Sequence, residues 1–427
     1  MNEELESLLD LASRRGISHA EIYQVSSQSQ PVFFEGNRLK QLESSQSVGT
    51  ALRLWQDNRP GLAVAYGTIE PELLIDKAIA LSQLNTPEII ELAPPRQVTY
   101  DLTGVKASVQ DLIAYGDRAV TQLREEYPEL ICSAELEFEE ESITLINSQG
   151  LYCHYHESGL SYSLGAELIR GEDFLGIFDG EYSREQLNFE PLIESIIRRL
   201  DWAKRNVSPP QGKVPVILTA NAAPLLWETV SSALNAKRVK EKSSPWSNLQ
   251  QELVISEQIT LSQQPELQPY DCPFDDEGMA TQRLDLITNG VLNQFYGDRT
   301  ISRELNLKPT GNGFRPALDS YPSPSLVNLI VASGQNSFDE LITKLDNGII
   351  VDQMLGGGAD ISGDFSVNVD LGYRVKNGKI IGRVKDTAIA GNVYQILKQI
   401  VALGNDTIWN GSCFTPSLIV EGISVVG

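Results

Sequence analysis

The sequence predicts an α+β fold in two domains. N-terminal helices pack on a curved antiparallel sheet, and a β-rich C-terminal domain follows, with a helix after its first strand. Two observations carry this expectation. The chain has 427 residues, too many for one ordinary core. Strand-like runs bounded by short polar turns outnumber the stretches of helical spacing, and the two kinds do not alternate as they would in a parallel βαβ fold. The best boundary is Val207-Ser208-Pro209-Pro210-Gln211-Gly212, where two prolines bar continuation of a helix. The expected division is therefore residues 1–206, a linker at 207–212, and residues 213–427.

The elements follow in order. Leu5, Leu8, Leu9 and Ala12 recur at helical spacing and predict a helix over 3–15, ended by Gly16. Strands are expected at Glu21–Val25, Val32–Glu35, Leu39–Glu43, Val48–Trp55 and Leu62–Tyr66, and a helix at Pro71–Leu84. Residues 85–107 hold several prolines and little periodicity, so they read as a long surface connection. Ser108 with Asp111 has the form of a capping box and opens a helix to about Glu126. Strands are expected at Ser133–Glu139, Ser142–Asn147, Leu151–Glu157, Leu160–Arg170 and Phe174–Tyr182, then a helix at Leu192–Lys204.

The second part opens with a strand at Val214–Thr219 and a helix near Ala222–Ala236. Asn289-Gly290 and Asn377-Gly378 each sit between strand-like runs, and Asn-Gly favours the two-residue hairpin turn with positive φ. Ser417–Val426 alternates like one terminal strand.

Composition narrows the function classes. The net charge is −23, which repels a phosphate backbone and disfavours direct nucleic-acid binding. No apolar run approaches the roughly 18 residues needed to span a bilayer, and the acidic Met1-Asn2-Glu3-Glu4 start does not resemble an export signal. Cys132, Cys153, Cys272 and Cys413 are scattered and read as reduced thiols, so a soluble cytoplasmic protein with no membrane partner is expected.

The chemical repertoire is thin. There are three histidines, His19, His154 and His156, and none forms a His-Glu-x-x-His pair one helical turn apart. His154 and His156 share one face of a strand and, with Glu157, could ligate a metal; two polar residues on a solvent face is the plainer reading. No Gly-x-Ser-x-Gly elbow is present. Cys413 is read as a small buried hydrophobe before a reactive thiol. Gly356-Gly357-Gly358 lacks the Lys-Ser/Thr of a phosphate loop. Asp275-Asp276-Glu277-Gly278 reads as a solvated acidic turn in preference to a carboxylate cluster at a cavity edge.

A set of segments in fixed order points further. They are Phe274–Thr281, Leu286–Leu292, Thr310-Gly311-Asn312-Gly313, Ser362–Ser366, Ala388–Asn392 and Ile400–Asp406. With these the region 214–427 resembles the TldD/PmbA family, described as modulators of DNA gyrase and as metallopeptidases. Ala20-Glu21-Ile22-Tyr23, Glu35-Gly36 and Arg59-Pro60-Gly61 match more weakly. The resemblance implies that TldD-like members carry His-Glu-x-x-x-His on the helix after the first strand of the second domain, plus a zinc-ligating cysteine near the C-terminus. Here Trp227 and Ser232 stand at the two histidine positions and only Glu228 remains; Cys413 lies in the region of the cysteine.

The chain therefore resembles the PmbA (TldE) branch. This implies a non-zinc subunit, with no catalytic or metal-binding residue of its own and zinc in a TldD-like partner, that forms a dimer with that partner or with itself and handles unfolded protein or peptide. A homo-oligomeric scaffold, or a hydrolase using Glu228 and unrecognised ligands, are the alternatives. Gly356, Gly357, Gly358 and Gly363 would either let an extended peptide approach a strand edge near 355–365 or only shape tight turns within the fold.

Overall fold

The computed structural model describes residues 3–427; Met1 and Asn2, with which the N-terminal reading begins, lie outside the described residues. The first helix, α1 (Glu3–Arg14), buries Leu5, Leu8 and Ala12, and Gly16 follows it at φ +85°. The strands β1 (His19–Glu35), β2 (Arg38–Leu42), β3 (Ser45–Gln56) and β4 (Arg59–Tyr66) then lead to α2 (Pro71–Ser82). β5 (Arg96–Thr103), α3 (Val109–Glu126), β6 (Ile131–Asn147), β7 (Leu151–Arg170), β8 (Asp173–Ser183) and α4 (Glu190–Trp202) complete the first lobe. Ser108 and Asp111 form the reciprocal capping box at the start of α3.

The first-lobe sheet runs β4-β3-β1-β6-β7-β5, with β2 on β1 and β8 on β7. Its long central strands curl, so each end of the sheet faces a different helix pair. α1 and α2 cover Ile22, Leu52 and Leu54 at one end, while α3 and α4 cover Leu136, Leu164 and Ile177 at the other. The mixed α+β class, the curved sheet and the β-rich second part are as the sequence predicts.

Four local expectations need correction. The connection at 85–107 contains β5, which pairs in parallel with β7 from Arg96↔Leu151 to Thr103↔Ser158. β5 alternates between half-buried and exposed and buries no residue fully, so its sequence gave no apolar periodicity. β1 continues through the polar stretch Ser26–Pro31, because β6 pairs with all of it and β3 with its other edge as far as Ser29. β6 and β7 likewise run unbroken where two strands each were expected. The terminal strand is instead two, Leu418–Val420 and Ser424–Val426, separated at Gly422 with φ +91°.

In the second lobe the strand Val216–Leu218 lies between Gly348–Leu355 and Leu418–Val420. The helix α5 (Pro224–Leu234) leaves it directly. Both Asn-Gly turns have positive φ at both residues: 47° and 78° at Asn289-Gly290, 51° and 66° at Asn377-Gly378. One face of this sheet packs on α5. The other, with Ile217, Ile350, Leu371 and Tyr373, shares a continuous core with α3, α4, Leu164 and Ile177 of the first lobe. Around 207–212 the chain is stitched down by Arg383↔Asn206 and Gly212↔Val425 pairings. No helix among the described residues is long and apolar enough to cross a membrane.

Candidate functional site

Three places concentrate unusual chemistry: the face of α5, the acidic motif at 275–277, and the cleft between the lobes.

Trp227 is 1% exposed, and its indole Nε1 donates 2.7 Å to Thr415 Oγ1. Glu228, one residue on, is exposed, and Ser232 is half-buried. Cys413 lies on the strand Cys413–Thr415, which packs against α5. Burial first, and then the negative charge of Glu228, push its thiol up to about 12. Trp227, Glu228, Ser232 and Cys413 are thus gathered at one helix and its facing strand. As a donor set they are a poor match to zinc: an indole N–H donates and cannot ligate, and this one is already engaged.

His154 and His156 are half-buried, with Nδ1 at 2.9 Å from Thr144 Oγ1 and 2.8 Å from Ser142 Oγ. Glu157 does not join them, because it is held by Arg184 at 2.7 Å. Burial, and then the neighbouring His156, lower the pKa of His154.

The motif Asp275-Asp276-Glu277 is no solvated turn, contrary to expectation. The three side chains are 0%, 9% and 8% exposed. They are buried because each oxygen pair replaces water with backbone donors. Asp275 accepts from the N–H groups of Glu277 (3.0 Å), Met279 (2.8 Å) and Gly313 (2.9 Å). Asp276 accepts from Arg315 N at 2.7 Å, and Glu277 from Arg299 N at 2.9 Å. Burial raises the Asp275 pKa well above the ordinary carboxylate range and that of Asp276 to about 6.

The motif also plugs the lobes together. Phe274 packs edge-on to Tyr155 of β7 at 5.3 Å, and Gly278, at φ +76°, would drive a Cβ to 2.5 Å from Leu151. Arg315 reaches across to Glu21 of β1 at 2.8 Å, where Arg53 also pairs with Glu21 at 2.9 Å. Asp275→Asn should cost about 1–3 kcal/mol, because its amide nitrogen must face at least one of three donors it cannot accept from. Urea unfolding measures this; a loss below the scatter of neutral surface changes would show that the three bonds do not hold the loop.

The cleft lies where β8 and α4 approach the strand Gly348–Leu355. Arg199 of α4, 3% exposed, bridges Asp179 of β8 and Asp352 of that strand, the latter at 3.1 Å. Gln353 spans the facing edges, its Oε1 accepting from Phe178 N at 3.0 Å. On one side of this bridge is a space of about 510 Å³ walled by Trp202 and Phe338, stacked at 5.9 Å, and by Trp409 and Phe414, at 5.0 Å. On the other is a wider cleft of about 1030 Å³ floored by the small residues Ser133, Ser161, Gly165 and Gly180. Trp409 borders both.

The predicted glycines line neither space. Gly356, Gly357 and Gly363 have φ of 56°, 74° and 87°, which accounts for glycine at each; Gly358 has open space around it. A Gly357→Val change would therefore strain the backbone itself. Gln353 and Trp409, which do shape the cleft, carried no motif in the sequence.

Comparison with known proteins places this architecture. Residues 211–427 match the model of the PmbA/TldA metallopeptidase C-terminal domain, and residues 20–82 match PmbA/TldA metallopeptidase domain 1. The chain belongs to the PmbA/TldD metallopeptidase family. A metalloprotease TldD homolog of Buchnera aphidicola is 32% identical over 201 residues, which are 46% of this chain and 42% of that protein, so the chain matches less than half the length of that relative. An uncharacterised protein of Methanocaldococcus jannaschii is 26% identical over 98% of this chain and 99% of its own. The crystal structure of TldE from Thermococcus kodakarensis superposes with a TM-score of 0.91, at 24% identity, covering 99% of this chain and 100% of that one; that likeness is one of fold. Within the family's matched region, the Asp275–Gly278 motif and Gly313 are interior structural positions.

Proposed function

We propose that this chain is a PmbA/TldE-like, non-zinc subunit of a TldD/TldE-type peptidase system, working with a zinc-bearing TldD-like partner on unfolded protein or peptide. The observation that carries the reading is the state of α5. At one position where the resemblance places a ligating histidine stands a buried tryptophan bound to Thr415. Glu228 on this face has no imidazole neighbour that could hold a metal-bound water for it to deprotonate. The role left to the chain is to shape the chamber and hold substrate, which the open cleft between the lobes suits.

Purified chain, dialysed and analysed for metals, should hold far less than one zinc per chain. Alone it should not cleave casein or unfolded peptides; mixed with a TldD-like partner, cleavage should appear, and Glu228→Gln should leave it near the unmodified rate. Stoichiometric zinc that survives mild chelation, or loss of the mixed activity in Glu228→Gln, would overturn the assignment.

A further inference from the structure

The wider interlobe cleft has a one-sided charge. Glu135, Glu181 and Asp370 line it, together with the Arg199-bridged Asp179 and Asp352, and no Lys or Arg does so among the described residues. Asp179 and Asp352 are neutralised from behind by Arg199. The other three carboxylates form no direct salt bridge among the described residues: Glu181 accepts the Tyr162 hydroxyl at 2.7 Å, and Asp370 the Gln353 amide at 3.4 Å, with the Arg383 guanidinium close behind on the Asp370 carbonyl at 3.4 Å. Glu135 and Glu181 are exposed and Asp370 half-buried, so their charge faces the open space.

The walls are apolar and aromatic. Tyr182 stacks on Tyr270 at 5.4 Å, and Tyr270 meets the edge of Trp409 at 5.2 Å, which forms a ladder of rings along one side. At the rim, Phe178 and Leu355 stand 49% and 59% exposed. The volume of about 1030 Å³ lies at the upper end of small-molecule sites, and the cleft is open to solvent, so it has room for a chain segment.

We propose that this cleft receives an extended stretch of substrate polypeptide bearing Lys or Arg, whose cations meet Glu135, Glu181 and Asp370 while its aliphatic stems and apolar neighbours lie against Tyr270 and Trp409. Long basic side chains suit both surfaces, since their stems are apolar and their heads charged, and a cation over an indole face gains a further attraction. The proposal rests on the peptidase-subunit reading and gives it a substrate preference.

Two labelled unfolded peptides of one length, identical except that Lys in one is Glu in the other, are titrated against the isolated chain by fluorescence anisotropy. The lysine peptide should bind roughly tenfold more tightly, and added salt should shrink the difference. Glu181→Gln with Asp370→Asn should abolish most of the preference, and Trp409→Ala should weaken the lysine peptide further. Should the double variant fail to fold, Glu135→Gln, on an exposed strand position, should still reduce the preference about threefold on the same electrostatic grounds. Equal affinity for the two peptides, or a preference that none of these carboxylate changes alters, would overturn the proposal. Partner-supported cleavage reads the other hypothesis separately. If it is absent while the lysine preference persists, the subunit reading fails and the cleft stands; if it is present with no charge preference, the cleft proposal alone falls.

Discussion

Arg199→Met should lower the unfolding free energy by about 3–5 kcal/mol, the range for breaking a buried ion pair by removing one partner. Methionine replaces much of the apolar stem but none of the charge. Asp179 and Asp352 would then face each other across the lobe junction without a counter-ion, and the Phe178 and Ser195 carbonyls, each bonded by the guanidinium at 3.3 Å, would lose that donor. Burial already pushes the Asp179 carboxyl above its ordinary range, with Arg199 the largest opposing influence. The loss should be greatest at neutral pH and smaller in acid, where the abandoned carboxylates can take up protons. Converting the set together, as Asp179→Asn, Arg199→Met and Asp352→Asn, should recover part of the stability, because no uncompensated charge remains. Urea midpoints at pH 5 and pH 8 decide it. A single variant that loses less than about 1 kcal/mol would mean that the bridge is screened like a surface pair.

The same variant tests how the lobes are joined. Ile217, Ile350 and Tyr373 from the second lobe lie in one apolar cluster with Leu164, Ile177 and Leu200 from the first, and the Tyr373 hydroxyl donates to the Arg199 carbonyl at 3.1 Å. A shared core of that kind unfolds as a unit, so the transition should stay single in the variant and move as a whole. Two resolved transitions would mean that the bridge, and not the apolar cluster, couples the halves.

How much of this could be read in the sequence depended on whether local chemistry decided the outcome. Ser108 and Asp111 specify a helix start by themselves, and the two Asn-Gly turns specify positive φ by themselves; all three formed as expected. β5 could not be read, because Arg96–Thr103 has no buried face of its own and becomes a strand only when β7 offers an edge. Asp275-Asp276-Glu277 was misread for a similar reason. Three adjacent carboxylates suggest solvent, and their burial depends on backbone donors that include Gly313, Arg315 and Arg299, up to 39 residues away for Arg315. Fixed order of motif segments carried the family, but it could not separate residues that hold the fold from residues that meet substrate. The acidic cleft is assembled from β1, β6, β7, β8 and five separate stretches of the second lobe, so no spacing in the chain announces it.

Trp227 is where the family reading and the fold meet, and its replacement should be costly in a way that explains the absent imidazole. Trp227→Ala should cost about 3–5 kcal/mol through the cavity it leaves. The indole sits in the core cluster with Leu226, Val230, Leu286 and Leu418, and it is among the largest fully buried side chains of the chain. Trp227→Phe keeps most of the apolar contact and loses the N–H. Thr415 Oγ1 already donates to the Pro416 carbonyl at 3.2 Å, so its acceptor side would be left unmet, at about 1–3 kcal/mol. Restoring a histidine pair, as Trp227→His with Ser232→His, meets the first of these costs before any metal can repay it: imidazole is smaller than indole and polar, and it would enter a site shaped as packing. The double variant should therefore melt well below the parent and take up less than one zinc per chain, as thermal unfolding with and without added zinc would show. If instead it purified with one tightly held zinc and an undiminished melting temperature, α5 would tolerate a ligand pair in place of its core packing, and the cost assigned to the loss of the buried tryptophan would be wrong.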